Sequence, residues 1–134
     1  MTPPAKWAVG DTGVLARSSG RYPKGPERWP PPENVFAPMT VTKVGRLYAD
    51  IVTEWRGRPY AEKVRLVVAC PAAMNPRDDV RSIWRTEADF HAAARHQVRR
   101  AALFRQLSAI RDGETLTPDD VDTVARILGI VLPE

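Results

Sequence analysis

The side chains with the greatest potential for metal binding or covalent catalysis are Cys70, His91 and His96. A zinc site needs several thiolate or imidazole groups that face one point. The two histidines lie five residues apart in a segment with helical periodicity, and five residues rotate an α-helix by about 500°, which places the rings about 140° apart. They cannot share a metal ion, and we interpret both as solvated helix histidines.

Covalent catalysis would require a nucleophile, a base and a group that orients the base. Cys70 together with either histidine is the combination that the sequence offers. However, Cys70 ends the apolar run LVVAC, where small buried thiols are common. This position favours a structural role for the cysteine.

A metal-dependent nuclease would need clustered carboxylates and a nearby cation, for which Asp50, Glu54 and Arg56 are the candidates. The two acids share one face of a strand, but Val52 lies between them on that face, so an exposed sheet surface explains them better. The segment GDTG at residues 10–13 lacks the spacing and the lysine of a phosphate-binding loop. The sequence therefore predicts no enzyme, no metal and no cofactor.

Charge is distributed unevenly along the chain, which carries a formal net charge of +4. Arginine makes up most of its basic residues, as a G+C-rich genome would encode by default, so the total charge is a weaker signal than its distribution. Residues 91–111 contain five arginines and no acid, whereas residues 112–134 contain six acids and one arginine. The preferred interpretation is that two oppositely charged helices lie side by side. Alternatively, Arg95 and Arg99, at four-residue spacing, form a ridge that contacts phosphates.

Basic and aromatic residues alternate in two further places, a pattern that suits single-stranded nucleic acid because cations follow the backbone and rings stack on bases. One set lies in or beside a proline-rich segment, and the other lies on the polar side of the strands that follow. The first set is Arg17, Arg21, Tyr22, Lys24, Arg28 and Trp29, and the second is Lys43, Arg46, Tyr48 and Arg65. In the alternative interpretation, the loop aromatics cover the open end of a barrel.

Five short strands are predicted in the first two-thirds of the chain. The first covers Val9 to Arg17, and residues 18–38, with six prolines and two glycines, then form a long loop. The alternation in VTKVGRLYADI predicts a hairpin that turns at Gly45-Arg46 and places Leu47, Ala49 and Ile51 on one face. Further strands follow in YAEKVRLVVAC, after a reversal at RGRP, and in RSIWR. These elements predict a small SH3-like antiparallel β-barrel over residues 1–85.

Two helices are predicted after the strands. Thr86 is the N-cap of the first, whose apolar stripe runs through Phe90, Ala94, Val98, Ala101, Phe104 and Leu107 and ends near Asp112-Gly113. The second begins at Thr117-Pro118 and stops at Gly129. Val121, Val124, Ala125 and Leu128 form its inner face. We expect an α+β protein in which residues 86–134 form an antiparallel helical hairpin packed on the barrel.

The block V-T-K-V-G-R-L-Y, followed by the helix start W-R-T-E, resembles short uncharacterised proteins of actinobacteria and their phages. Those proteins carry a small β-barrel and a helical tail, and the resemblance covers roughly residues 9–129. It implies the same fold and a phage or mobile-element origin. It implies no activity and no functional residue.

The expected function is that of a non-enzymatic binding module in the cytoplasm. A lone cysteine fits a reducing compartment, and the chain has neither an apolar run of about 20 residues nor a secretory signal. Nucleic acid is the first expected partner, bound through the basic and aromatic residues. The alternative partner is a host or phage protein, or a second copy of the chain in a homo-oligomer. In that case the proline-rich loop or the apolar stripe of the helical hairpin forms the interface. No membrane and no small-molecule substrate is expected.

Overall fold

The computed structural model describes residues 6–20, 32–109 and 116–133. It contains an antiparallel sheet and two helices, so the predicted α+β class is confirmed. The strands are β1 (Thr12–Ser19), β2 (Glu33–Val44), β3 (Tyr48–Trp55), β4 (Arg58–Arg65) and β5 (Asp79–Trp84). The helices are α1 (Glu87–Ala109) and α2 (Pro118–Leu128).

The sheet has the strand order β4-β3-β2-β1-β5 and curls strongly. In a flat sheet the two edge strands would lie about 19 Å apart, four spacings of ~4.8 Å. Here β4 and β5 come into contact, and Arg81 of β5 reaches Glu62 of β4 at 3.0 Å. No ladder joins these edges among the described residues, so the sheet is not closed and the SH3-like barrel is not confirmed.

The inner face of the curl holds the main hydrophobic core. Alternation along each strand brings short aliphatic side chains to this face, and together they exclude water. Its buried members are Leu15, Met39, Val41, Ala49, Ile51, Val64 and Ile83. The predicted alternation of Ala49 and Ile51 is confirmed, whereas Leu47 is exposed because it lies in the turn before β3.

A second, smaller core covers the outer face of β1. Ala16, Ala72 and Phe90 are buried in it, and the ring of Phe90 makes edge contacts with Phe36 and Trp84. The segment 71–73 is fixed by polar bonds, since Ser18 Oγ accepts from the backbone N–H of Ala73 at 2.7 Å. Core residues therefore pack against both faces of β1.

The two ends of the predicted 18–38 loop are strand. β1 continues to Ser19 and β2 begins at Glu33, so Pro38 lies inside a strand. Pro38 is in register with Val14 of β1, but its carbonyl accepts from Thr53 Oγ1 at 2.9 Å, so the backbone polar atoms of Pro38 face β3 and not β1. The β2–β3 pairing begins one residue later, at Met39, so the missing N–H breaks no ladder bond.

Helix α1 begins as predicted, with Thr86 Oγ1 accepting from the N–H of Asp89. Its buried face differs from the predicted stripe, because Val98 and Phe104 are exposed while Gln97 is buried. The Gln97 side chain accepts from the N–H of Ala72 at 3.1 Å and donates to the Ala72 carbonyl at 3.0 Å. A glutamine is buried here because it satisfies loop backbone that no other element pairs.

The chain divides into two compact units, Met1–Val98 and Arg99–Glu134. The division falls inside α1, and the first turns of α1 pack with the sheet through Phe90. In the second unit α2 has the predicted caps, with a Thr117–Asp120 capping box and Gly129 in the left-handed conformation. The antiparallel packing of the two helices is not confirmed. In the part of the chain that the structure describes, neither helix has the length and apolar content needed to cross a membrane.

Candidate binding surfaces on the sheet

The β2–β3 hairpin and the end of β4 bring four cations and one tyrosine together. Cross-strand pairing places Asp50 between Lys43 and Lys63, and places Tyr48 opposite Arg65. Arg46 lies in the turn that joins β2 to β3. We call these residues the basic patch, namely Lys43, Arg46, Tyr48, Lys63 and Arg65.

The basic patch combines positive charge with an accessible ring. Tyr48 is 44% exposed, and the ammonium of Lys63 lies 6.0 Å from the centre of its ring, at the outer limit of a cation–π contact. Asp50 is the only acid in the two cross-strand rows, so the rows with Arg46 of the turn hold four cations and one acid, a net charge of +3. Within the described residues, no salt bridge engages any of the four cations. Their charge is therefore available to an anionic partner.

A cavity of about 240 Å³ opens at the other end of the sheet, on the inner face. Its floor is aliphatic, from Leu15, Val35 and Ala37, and Thr53 adds a hydroxyl. Two aromatic side chains stand at its rim, Trp55 at 42% exposure and Tyr60 at 49%. The remaining lining residues are charged, namely Arg17 and Glu62.

The two charged side chains of the cavity, Glu62 and Arg17, differ in the partners that they contact. Glu62 Oε1 accepts from Arg81 at 3.0 Å, whereas Glu62 Oε2 is buried and has no hydrogen-bond partner among the described residues. Leaving a buried acceptor without a donor costs about 1–3 kcal/mol, so such an atom needs an explanation. The guanidinium of Arg17 lies 5.8 Å from the ring centre of Trp55. The side chains that line the cavity thus include one carboxylate with an unpaired oxygen and one loosely stacked guanidinium.

The structure separates the predicted binding residues into different places. It brings Lys43, Arg46, Tyr48 and Arg65 together in the basic patch. Arg17 lies apart from them, on the opposite face and at the cavity end of the sheet. Arg95 and Arg99 are exposed on α1. The other predicted residues lie outside the described part of the chain, namely Arg21, Tyr22, Lys24, Arg28 and Trp29.

Sequence reasoning missed Lys63 in the basic patch and Trp55, Tyr60 and Glu62 in the cavity. Lys63 could have been found, because it is two residues from Arg65 and therefore on the same face of one strand. Glu62 gave no signal, since its neighbours Arg17 and Arg81 are distant in sequence and meet it only when the sheet curls.

Cys70 does not have the buried strand position that its apolar context indicated. It is exposed, and it lies beyond the end of β4. His91 is also exposed, with its ring 5.3 Å from that of Phe36. Among residues 6–20, 32–109 and 116–133, no three His, Cys, Asp or Glu side chains come together as metal ligands. Asp50 and Glu54 share the outer face of β3 with Val52, as predicted.

A third polar cluster forms where the chain enters β1. Asp11 Oδ2 accepts from the backbone N–H of Ala8 at 2.8 Å and from Arg85 at 3.1 Å, and Arg85 stacks 4.0 Å from the ring centre of Trp7. The bond from Ala8, with a smaller contribution from Arg85, lowers the pKa of Asp11 below its ordinary value. The cluster fastens the N-terminal segment to the end of β5.

Comparisons of the chain with protein-family models, curated proteins and solved structures return no match.

Proposed function

We propose that the protein is a non-enzymatic module that binds single-stranded nucleic acid through the basic patch. The observation that carries the proposal is that Lys43, Lys63 and Arg65 share the outer face of the sheet with the accessible ring of Tyr48. Phosphates attract the cations, and an unpaired base can stack on the ring, whereas the bases of a duplex are already stacked. We also propose that the curled sheet, with its three-strand meander, is related to the SH3-like barrels.

Binding should weaken steeply with salt. If three phosphates are contacted, log K falls against log salt with a slope of about −2, at about −0.7 per phosphate for single strands. Fluorescence anisotropy of a labelled oligonucleotide at several salt concentrations measures this slope. Lys63→Ala should make the slope shallower by about 0.7. Tyr48→Ala should cost about 1–3 kcal/mol of binding free energy through lost stacking.

Arg77→Ala provides the matched control, because Arg77 is an exposed cation in the β4–β5 connection and outside the patch. It should leave the slope unchanged. The proposal fails if affinity does not respond to salt, or if Arg77→Ala weakens binding as much as Lys63→Ala does. A duplex of the same sequence should bind more weakly, and tighter duplex binding would contradict the role of Tyr48.

A second candidate function, self-association, is favoured by the apolar surface of the second unit. Its described part exposes eight large apolar side chains, namely Leu103, Phe104, Val121, Ile127, Leu128, Ile130, Val131 and Leu132. The same unit carries arginines on α1 and three aspartates, Asp119, Asp120 and Asp122, on α2. A second copy of the chain offers both the matching apolar surface and the opposite charge.

Sedimentation across a concentration series tests self-association. The expected result is a dimer that Phe104→Glu and Ile127→Glu convert to monomer, whereas Leu47→Glu, which removes an exposed apolar residue from the sheet, leaves it intact. A monomer at all concentrations would exclude this function.

A further inference from the structure

The cavity at the end of the inner face has the properties of a ligand site. It is lined by Arg17, Trp55, Tyr60 and Glu62 over an aliphatic floor. Neither aromatic ring packs against another ring in the described part of the chain, although each is half-exposed at the rim. Rings held in this way can contact a flat, apolar ligand face on entry.

The size of the cavity limits the ligand. Pockets for drug-sized molecules have volumes of about 300–1,000 Å³, and this cavity, at about 240 Å³, is smaller. It suits a single planar ring system. The aromatic rim and the aliphatic floor both favour a flat ring over a branched or strongly hydrated group.

Glu62 and Arg17 specify what the edges of that ring must offer. Glu62 Oε2 has no hydrogen-bond partner among the described residues and almost no accessible surface. Glu62 lines the cavity, so a rotation of its side chain would present this oxygen to a ligand N–H donor. A carboxylate has about four acceptor positions, so Oε1 can accept another bond while it is held by Arg81. The guanidinium of Arg17 lines the same cavity and calls for acceptors.

We propose that this cavity binds a guanine base. Guanine has two adjacent donors, N1–H and the N2 amino group, on one edge, and two adjacent acceptors, O6 and N7, on another. Glu62 can accept from the first edge and Arg17 can donate to the second, which is the bidentate pairing that arginine makes with guanine. In adenine and cytosine the amino donor lies beside a ring acceptor, which a carboxylate would repel. Uracil has a single donor between two carbonyl oxygens.

This inference goes beyond the proposed function, since the cavity and the basic patch lie on opposite faces of the sheet and at opposite ends of its strands. A guanine nucleotide could occupy the cavity whether or not a nucleic acid strand occupies the patch. The two sites can therefore be tested separately.

The test uses ¹⁵N-labelled full-length protein titrated with GMP, AMP and inorganic phosphate and followed by NMR. GMP should shift the indole signal of Trp55 and the amides of Thr53 and Tyr60, and should bind roughly tenfold more tightly than AMP. Inorganic phosphate should not shift these signals. Equal affinity for the two nucleotides, or the same shifts with phosphate, would overturn the proposal.

Glu62→Gln should abolish the preference for GMP over AMP, because the carboxamide keeps only one acceptor oxygen. Glu54→Gln is the matched control, since Glu54 is exposed on the outer face of β3, away from the cavity. If Glu62→Gln fails to fold after losing Arg81, Arg17→Gln gives an independent test and should weaken GMP binding about tenfold. Unchanged GMP binding in Arg17→Gln would overturn the proposal.

The two proposals fail in distinguishable ways. If Glu62→Gln loses the preference for GMP but still binds the oligonucleotide, the cavity binds guanine independently of the basic patch. If Lys63→Ala loses oligonucleotide binding but keeps the preference for GMP, the basic patch binds nucleic acid independently of the cavity. GMP shifts confined to Tyr48 and Lys63 would show that the nucleotide binds the patch, and would overturn the cavity proposal.

Discussion

Single polar side chains fix several parts of this fold that the hydrophobic core does not reach. Gln97 makes two hydrogen bonds with the backbone of Ala72, and Ser18 makes one with Ala73. These bonds satisfy the backbone of a segment that belongs to no strand. They join β1, the 71–73 segment and the first turns of α1 into one structure.

Asp11 gives a pH-dependent contribution to stability. Because folding lowers its pKa, the contribution is fully present above the ordinary pKa of an aspartate, about 3.9, and is lost as pH falls through the lower folded value. Asp11→Asn should therefore lower the melting temperature at neutral pH, and the difference from the unmodified protein should shrink in strong acid. Thermal unfolding followed by circular dichroism between pH 7 and about pH 2 measures this change.

Asp122→Asn is the control for this prediction, because Asp122 is exposed on α2. It should leave the melting temperature nearly unchanged throughout. A constant difference for Asp11→Asn at every pH would show that its carboxylate charge does not matter, and that the substitution acts only through the packing of Trp7 and Arg85.

The sequence predicted which cations of the β2–β3 hairpin are exposed, but it did not predict which residues line the cavity. Lys43, Tyr48 and Arg65 follow from strand alternation, which is a local rule. Glu62 and Arg81 are 19 residues apart and lie on opposite edges of the sheet. Their meeting depends on how far the sheet curls, and no short-range pattern encodes that curvature.

The β3–β4 hairpin shows how a turn determines the register of two elements. Arg56 and Gly57 both have positive φ, at 51° and 74°, which is the arrangement of the two-residue turns that match strand twist. Glycine adopts this conformation without strain, whereas arginine does so less readily. Thr53 therefore lies opposite Tyr60, and both reach the cavity.

Replacement of the turn residues should change stability in opposite directions. Arg56→Asn should stabilise the protein by about 0.5 kcal/mol, because asparagine tolerates positive φ better than arginine. Gly57→Ala should destabilise it by about 1 kcal/mol, since a side chain is strained there. Urea unfolding gives both free energies. Arg46→Asn is the control, since Arg46 does not have positive φ, and a similar stabilisation there would contradict the explanation.

Elements were predictable wherever their signals are local. The caps of α2 at Thr117 and Gly129 follow directly from residue type. The strand position of Pro38 and the burial of Gln97 do not, because each depends on a partner from another element, Thr53 in one case and Ala72 in the other. Propensity disfavours a proline within a strand and a glutamine in a core, and tertiary hydrogen bonds reverse both preferences.

The two units of the whole molecule are stabilised to different degrees. In the first unit several strand residues are fully buried, including Ala49 and Ile51. In the described part of the second unit, Ala125 alone is buried. Few buried contacts and exposed backbone bonds give a low free energy of local opening.

Hydrogen exchange should therefore distinguish the units. We expect backbone amides of α2 to exchange well before those of β3 under native conditions, because α2 can open without disrupting the core. Mass spectrometry of peptides that cover residues 49–53 and 121–128 measures both rates. Equal protection at low protein concentration would show that α2 is stabilised to the same degree as the sheet.

The unclosed sheet exposes the molecule to one hazard that a complete barrel would avoid. Outward-facing N–H and C=O groups along β4 and β5 can template the growth of cross-β aggregates. The sequence of β4 counters this, since Pro59 removes one donor and Lys63 adds a charge to the border strand. Replacing these two residues with valine would leave the hydrophobic core intact but would make the edge strand β4 prone to fibril formation.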